Sequence, residues 1–123
     1  MELVQVAQHA DDLARATDCY RVILGAEPVA VFDPPGLVFF SLGRQRLLLD
    51  RAAPSALLYL RVPDVRTRIE ELRAAGITVD SAPHMIFRHE DDSLGPAGHQ
   101  EWQAFIRDSE NNLVGLVSQH PGE

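Results

Sequence analysis

The chain states one pattern twice, and this constrains its fold more than any other feature. VQVAQHADDLARATDCYRVILGAEPV and LLYLRVPDVRTRIEELRAAGITV each run through an apolar strand, an aspartate at a helix N-cap position, an amphipathic helix and a glycine stop. Asp12 and Asp64 stand 52 residues apart, and Gly25 and Gly76 one residue closer. In the first copy, strand-like ELVQVAQ leads to Leu13, Ala16, Tyr20 and Ile23 on one helical face, and then to EPVAVF, GLVFFSL and RLLLD. In the second, Val65, Ile69, Leu72 and Ala75 form the buried stripe, followed by strands around TVDSAPHMIF, EWQAFIRD and NLVGLVS. The order is β-α-β-β-β in both halves, which predicts an α+β chain of two modules, 1–53 and 54–120. Each module has a sheet face that it cannot bury alone.

Composition narrows the function classes. A chain of 123 residues with 46% hydrophobic content suits one compact domain rather than two full domains, burying roughly two-thirds of its unfolded surface. Eleven basic against eighteen acidic side chains give a formal charge of −7, and no Lys/Arg stripe is present, so nucleic acid is not an expected partner. No apolar run approaches the roughly 20 residues that span a bilayer, and the N-terminus enters a strand pattern directly, so a cytoplasmic protein without membrane contact is expected. Cys19 is the sole cysteine, which excludes an internal disulfide; its place in a helical pattern reads as packing rather than as a nucleophile.

The two motifs ADDLARATDCYRVILGAEP and IRDSENNLVGLVS resemble those of the vicinal-oxygen-chelate superfamily, which includes glyoxalase I, methylmalonyl-CoA epimerase, extradiol dioxygenases and the bleomycin resistance proteins. In the second motif Ser109 stands where the family usually has proline, and Asn111 where it has glycine. The resemblance covers essentially the whole chain. It implies a curved, cup-like mixed sheet, a homodimer, and a divalent metal with a small substrate in the cup. It also implies four metal-ligand positions, which fall here on Gln5, Leu57, Leu49 and Gly115, with Asp50 one residue from Leu49. Gln5 alone carries a usable oxygen, whereas a catalytic zinc-like site needs at least three protein donors. The expectation is therefore a degenerate metal site and no cofactor; a rebuilt site would draw on Gln5, Asp50 and His84.

Strand alternation sends Gln5, Ala7 and His9 to one face and Leu57, Tyr59 and Arg61 to another. Arg61 reads as the anchor for an anionic or carbonyl group, with His9 or Tyr59 as hydrogen-bond donor. The bland alternative places Arg61 and His9 at a wet rim, paired with acids, and Tyr59 in simple packing. Trp102 joins Gln5, His9, Leu49, Leu57, Tyr59, Arg61, His84 and Gly115 in the ligand-binding set. In HMIFRHEDD, alternation puts His84, Ile86 and Arg88 on one face and Met85, Phe87 and His89 on the other, which disfavours a metal box. His84 is the preferred pocket histidine, because Pro83 marks an edge or bend. The following loop of roughly ten residues, within 88–100, exceeds hairpin needs. It reads equally as a lid or as a solvated acidic connection, with a surface cation site at Glu90, Asp91, Asp92 and His99 as a third reading.

Three functions remain open: a metal-independent small-molecule binder; a lyase, isomerase or dioxygenase-like enzyme, using the rebuilt metal or His9 and Tyr59 as acid and base; and a structural domain.

Overall fold

The structure is a computed structural model, and it describes residues 1–122. Both expected β-α-β-β-β runs are present. The first comprises β1 (Gln5–His9), α1 (Leu13–Leu24), β2 (Ala30–Phe32), β3 (Leu37–Leu42) and β4 (Gln45–Asp50). The second comprises β5 (Leu58–Arg61), α2 (Val65–Ala74), β6 (Thr78–Arg88), β7 (His99–Arg107) and β8 (Leu113–Pro121). The chain forms two compact units. Unit 1 contains residues 1–56 together with the β7–β8 turn, 108–112, and unit 2 contains 57–107 and 113 onward.

Each helix begins where an aspartate side chain takes over an orphan backbone N–H. Asp12 Oδ1 accepts from Arg15 N at 3.0 Å, and Asp64 Oδ1 accepts from Arg66 N at 2.9 Å. Gly25 ends α1 in the left-handed region, φ 64°, where a side chain is strained.

In unit 1 the sheet order is β1-β4-β3-β2, with β1 and β4 parallel. Leu47, Leu49, Val38 and Phe40 meet the helix stripe Leu13, Ala16, Tyr20 and Ile23, and all of these are buried. Burial of each leucine, isoleucine, valine or phenylalanine among them is worth about 1.5–3 kcal/mol. Gln8 lies fully buried among them, and its amide reaches Tyr20 Oη at 3.2 Å. Tyr20 in turn donates to Asp108 Oδ2 at 2.7 Å, and Asn112 donates to the same oxygen at 3.0 Å. Asn111 takes φ 65°, the conformation a glycine would adopt in that turn, and asparagine is the side chain that tolerates it best.

In unit 2 the order is β5-β8-β7-β6, with β5 and β8 parallel. Leu58, Val114, Leu116, Ala104 and Ile106 face Val65, Ile69 and Leu72 of α2. Ser118 lies on this face too, and its hydroxyl accepts from Val65 N. Among the described residues no helix is long and apolar enough to cross a membrane.

Candidate functional site

With the helix-facing residues fixed by burial, the register identifies those on the opposite, open face of each sheet. In unit 1, Gln5 pairs with Arg46, Ala7 with Leu48 and His9 with Asp50, whereas Leu49 pairs with the buried Gln8. Paired residues of a parallel ladder project to the same side. Leu49 is therefore a core residue beneath α1, and the expected placement of a ligand position there is corrected: the open-face residues of β4 are Arg46, Leu48 and Asp50. Gln5 is not free to hold a cation, because Arg46 Nε donates to its Oε1 at 2.7 Å and brings a fixed positive charge. The Arg46 guanidinium also lies over the Phe39 ring, 5.6 Å from its centre. Gln5 and Asp50 lie four positions apart along the paired strands, about 13 Å, too far to share an ion whose bonds measure about 2 Å. Asp50 instead accepts from Ala52 N at 2.9 Å and shapes the turn that leaves β4.

His9 ties segments together. Its Nδ1 meets Ala53 O at 3.1 Å and its Nε2 meets Asp11 at 3.0 Å, so both ring nitrogens are engaged. Its backbone N–H donates to Ser55 Oγ and its carbonyl accepts from Asn112 Nδ2. As a candidate acid or base it has no ring nitrogen left for a substrate.

In unit 2 the open face carries Tyr59, Arg61, Gly115, Val117 and Gln119, joined from β7 by Glu101, Gln103 and Phe105. At Gly115 a side chain would collide with the Tyr59 ring: an added Cβ would lie 2.8 Å from Tyr59 Cδ1 and 3.1 Å from Phe105 Cε1. The Tyr59 ring packs edge-on against Phe105, centroids 5.8 Å apart, and fills the space a side chain at 115 would need. Leu57 precedes the strand, is exposed, and offers no donor. The four positions implied by the resemblance thus hold an amide bonded to arginine, two leucines and a glycine. Among the described residues no group of three His, Cys, Asp or Glu side chains is arranged to hold a metal ion. The residues present do not fit a divalent metal.

The open face of unit 2 instead has a cavity of about 330 Å³, lined by Tyr59, Arg61, Phe87, Leu94, Glu101, Val117 and Gln119. The Arg61 side chain has no hydrogen-bond or ion-pair partner among the described residues, so its five N–H donors are available to a ligand. Leu94 comes from the loop 89–98, which reaches the cavity and is held there by Gln119 Nε2 donating to Leu94 O at 3.4 Å. The loop's acids do not gather around a cation: Asp91 accepts from Ser93 and Asp92 from Ala97 N. The Ser93 bonds hold the Asp91 carboxyl below the usual carboxylate range.

Two further expectations are corrected. His84 is in register with Gln103 on the open face, but it sits exposed on the edge strand, its Nδ1 against Ala82 O at 3.1 Å, and it does not line the cavity. Alternation fails beyond it because the register shifts between Met85 and Phe87, which returns Phe87 to the face of His84. Trp102 is in register with Ser118 on the helix side, where Arg66 covers its ring at 5.0 Å. It is no part of the cavity.

The residue pair that sequence reasoning missed is His89 and Glu101. The His89 side chain is 2% exposed and its Nε2 meets Glu101 Oε1 at 3.1 Å. Polar side chains twelve residues apart give no periodic signal; only the fact that a hairpin brings 89 back beside 101 could have suggested them. A second cavity, of about 320 Å³, lies in unit 1 between α1 and β2–β3, but its one cation, Arg21, is already paired with Asp18 and Glu27. Of these two cavities, the unit 2 cavity has the unpaired charge.

No protein-family model matches the chain, and no curated protein matches its sequence. Solved structures do. A lactoylglutathione lyase from Agrobacterium tumefaciens is 26% identical, with 94% of this chain and 92% of that one covered at a TM-score of 0.64. A glyoxalase/bleomycin resistance protein/dioxygenase from Alicyclobacillus acidocaldarius is 18% identical, covering 94% and 89%, at 0.65. A mutant glyoxalase I from Zea mays is 15% identical over 94% of this chain and 44% of that longer one, at 0.70.

Proposed function

We propose that this chain, which belongs by its fold to the vicinal-oxygen-chelate superfamily, is a metal-independent small-molecule-binding protein that holds an organic acid in the cavity of unit 2. One observation carries the reading: an unpaired Arg61 guanidinium at a concave site whose other walls are largely aromatic and aliphatic. Such a site accepts an apolar body and rewards a carboxylate, which matches the guanidinium fork with two parallel hydrogen bonds. Tyr59 supplies wall area and a phenolic O–H. The alternative, a lyase or isomerase with a rebuilt divalent-metal site, is disfavoured by Arg46 on Gln5, by the distance from Gln5 to Asp50, and by the Tyr59 ring over Gly115.

Thermal melts of untagged protein test the proposal. A panel of small aryl and alkyl carboxylates raises the Tm of the native chain, and Arg61→Ala loses that rise while melting normally on its own. Zinc, nickel or a chelator leaves the Tm unchanged. One equivalent of tightly held transition metal, or acid binding indifferent to Arg61→Ala, overturns the reading. A homodimer accompanies this proposal, and its check is a light-scattering mass of twice the 13.6 kDa chain.

A further inference from the structure

Glu101 lines the unit 2 cavity, yet its side chain is only 13% exposed, and a carboxylate so enclosed is costly unless its oxygens are bonded. Three N–H groups serve it. His89 Nε2 at 3.1 Å and Gln119 Nε2 at 3.3 Å reach Oε1, and Gln103 Nε2 reaches Oε2 at 3.1 Å. An ionised carboxylate has about four acceptor positions, so one remains, on Oε2. Gln119 adds to the same character: its amide nitrogen is spent on Glu101 and Leu94 O, which leaves its carbonyl oxygen as a second acceptor at the cavity wall.

The sheet sets the distance from this acceptor end to Arg61. Arg61 is in register with Val117 and Gln103, and Glu101 lies two residues beyond Gln103 on β7. β7 stands two strands from β5, so the backbones of Arg61 and Glu101 are separated by about 10 Å across the sheet and about 7 Å along it. Val117 on β8 lies between them, and Tyr59, Phe87 and Leu94 line the same cavity.

We propose that the cavity reads two ends of its ligand, the acid through Arg61 and a hydrogen-bond donor through Glu101, so that its ligands are flat apolar acids with an N–H or O–H at the end remote from the carboxylate. This rests on the binding function above and deepens it. A ligand with an apolar far end displaces water from Glu101 and leaves an acceptor dry, whereas one with a donor completes the shell. Sites that present buried hydrogen-bonding groups discriminate strongly against analogues lacking the partner.

Calorimetric titration of the full chain with four compounds tests it: indolepropionate, its N-methyl derivative, naphthylpropionate and tryptamine. Indolepropionate is expected to bind about ten- to a hundredfold more tightly than the two acids without a donor, and tryptamine, which has no acid, more weakly than any of them. Arg61→Ala weakens all three acids together, while Glu101→Gln brings their affinities within about twofold of one another. The ligand series on the native chain stands without the variants, so a misfolded Glu101→Gln does not remove the test. Acid binding that depends on Arg61 but is blind to the indole N–H overturns this inference and spares the binding function. No binding by any of the acids overturns both.

Discussion

At the scale of single residues, two positions carry consequences that can be measured. Gly115 is small because Tyr59 lies across it. Gly115→Ala is expected to cost about 1–3 kcal/mol by denaturant titration, and the cost should largely vanish in the background of Tyr59→Ala, a coupling that a double-mutant cycle measures. Tyr20 is the second. Burial first, and then the neighbouring Asp108 charge, push its phenol far above the ordinary 10.0. The folded state therefore retains this proton when the unfolded chain gives it up. Its contribution to stability is intact below about pH 10 and declines as the pH rises further. Tyr20→Phe should flatten that alkaline decline. At neutral pH it should also destabilise unit 1 by about 1–3 kcal/mol, because Gln8 and Asp108 each lose a partner.

At the scale of elements, the loop 89–98 is the informative one. It begins at a buried His89, whose N–H donates to His99 O and whose carbonyl accepts from Gly98 N, so the loop closes on itself with β-like pairing at its base. Gly95 packs where a side chain would lie 2.7 Å from Gln119 Nε2 and 2.9 Å from His89 Cε1. Gly95→Ala is expected to push the loop off the cavity, with faster hydrogen exchange across 90–98 and at least severalfold weaker acid binding, while the helices melt almost unchanged. The helices depend on their caps. Asp12→Ala and Asp64→Ala should each cost about 1 kcal/mol.

At the scale of the whole molecule, chain order and spatial grouping differ. The turn 108–112 follows β7 in sequence and belongs to unit 1 in space. Asp108 holds it there, accepting from Tyr20 Oη, from the backbone N–H groups of Glu110 and Asn112, and from the Asn112 amide. Asn112 extends the network to His9 O, and Ser55 donates to Asn112 Oδ1. Asp108→Ala is expected to cost about 2–4 kcal/mol in global unfolding, well beyond either helix cap, because it strips several buried donors of one acceptor. The IRDSENN motif, recognisable in sequence as a family resemblance, thus has a structural role that a motif match does not reveal.

What the sequence determined by itself is local. Asp12 and Asp64 mark helix starts, the apolar stripes of α1 and of α2 mark their buried faces except that Ala75 caps α2 and is exposed, and alternation puts Gln5, Ala7 and His9 on one face of β1 and Tyr59 and Arg61 on one face of β5. Each depends on neighbours a few residues away, where backbone geometry leaves few choices. The tertiary structure decided the rest: that Leu49 rather than Leu48 lies under α1, that a register shift turns Phe87 toward the cavity and leaves His84 at the edge, that Trp102 faces Arg66, and that Arg46 occupies Gln5 while His89 occupies Glu101. Those outcomes depend on strand register and on long side chains meeting across 12 to 41 residues of sequence. A shift of one residue exchanges the two faces of a strand, and no local pattern records which register packs best.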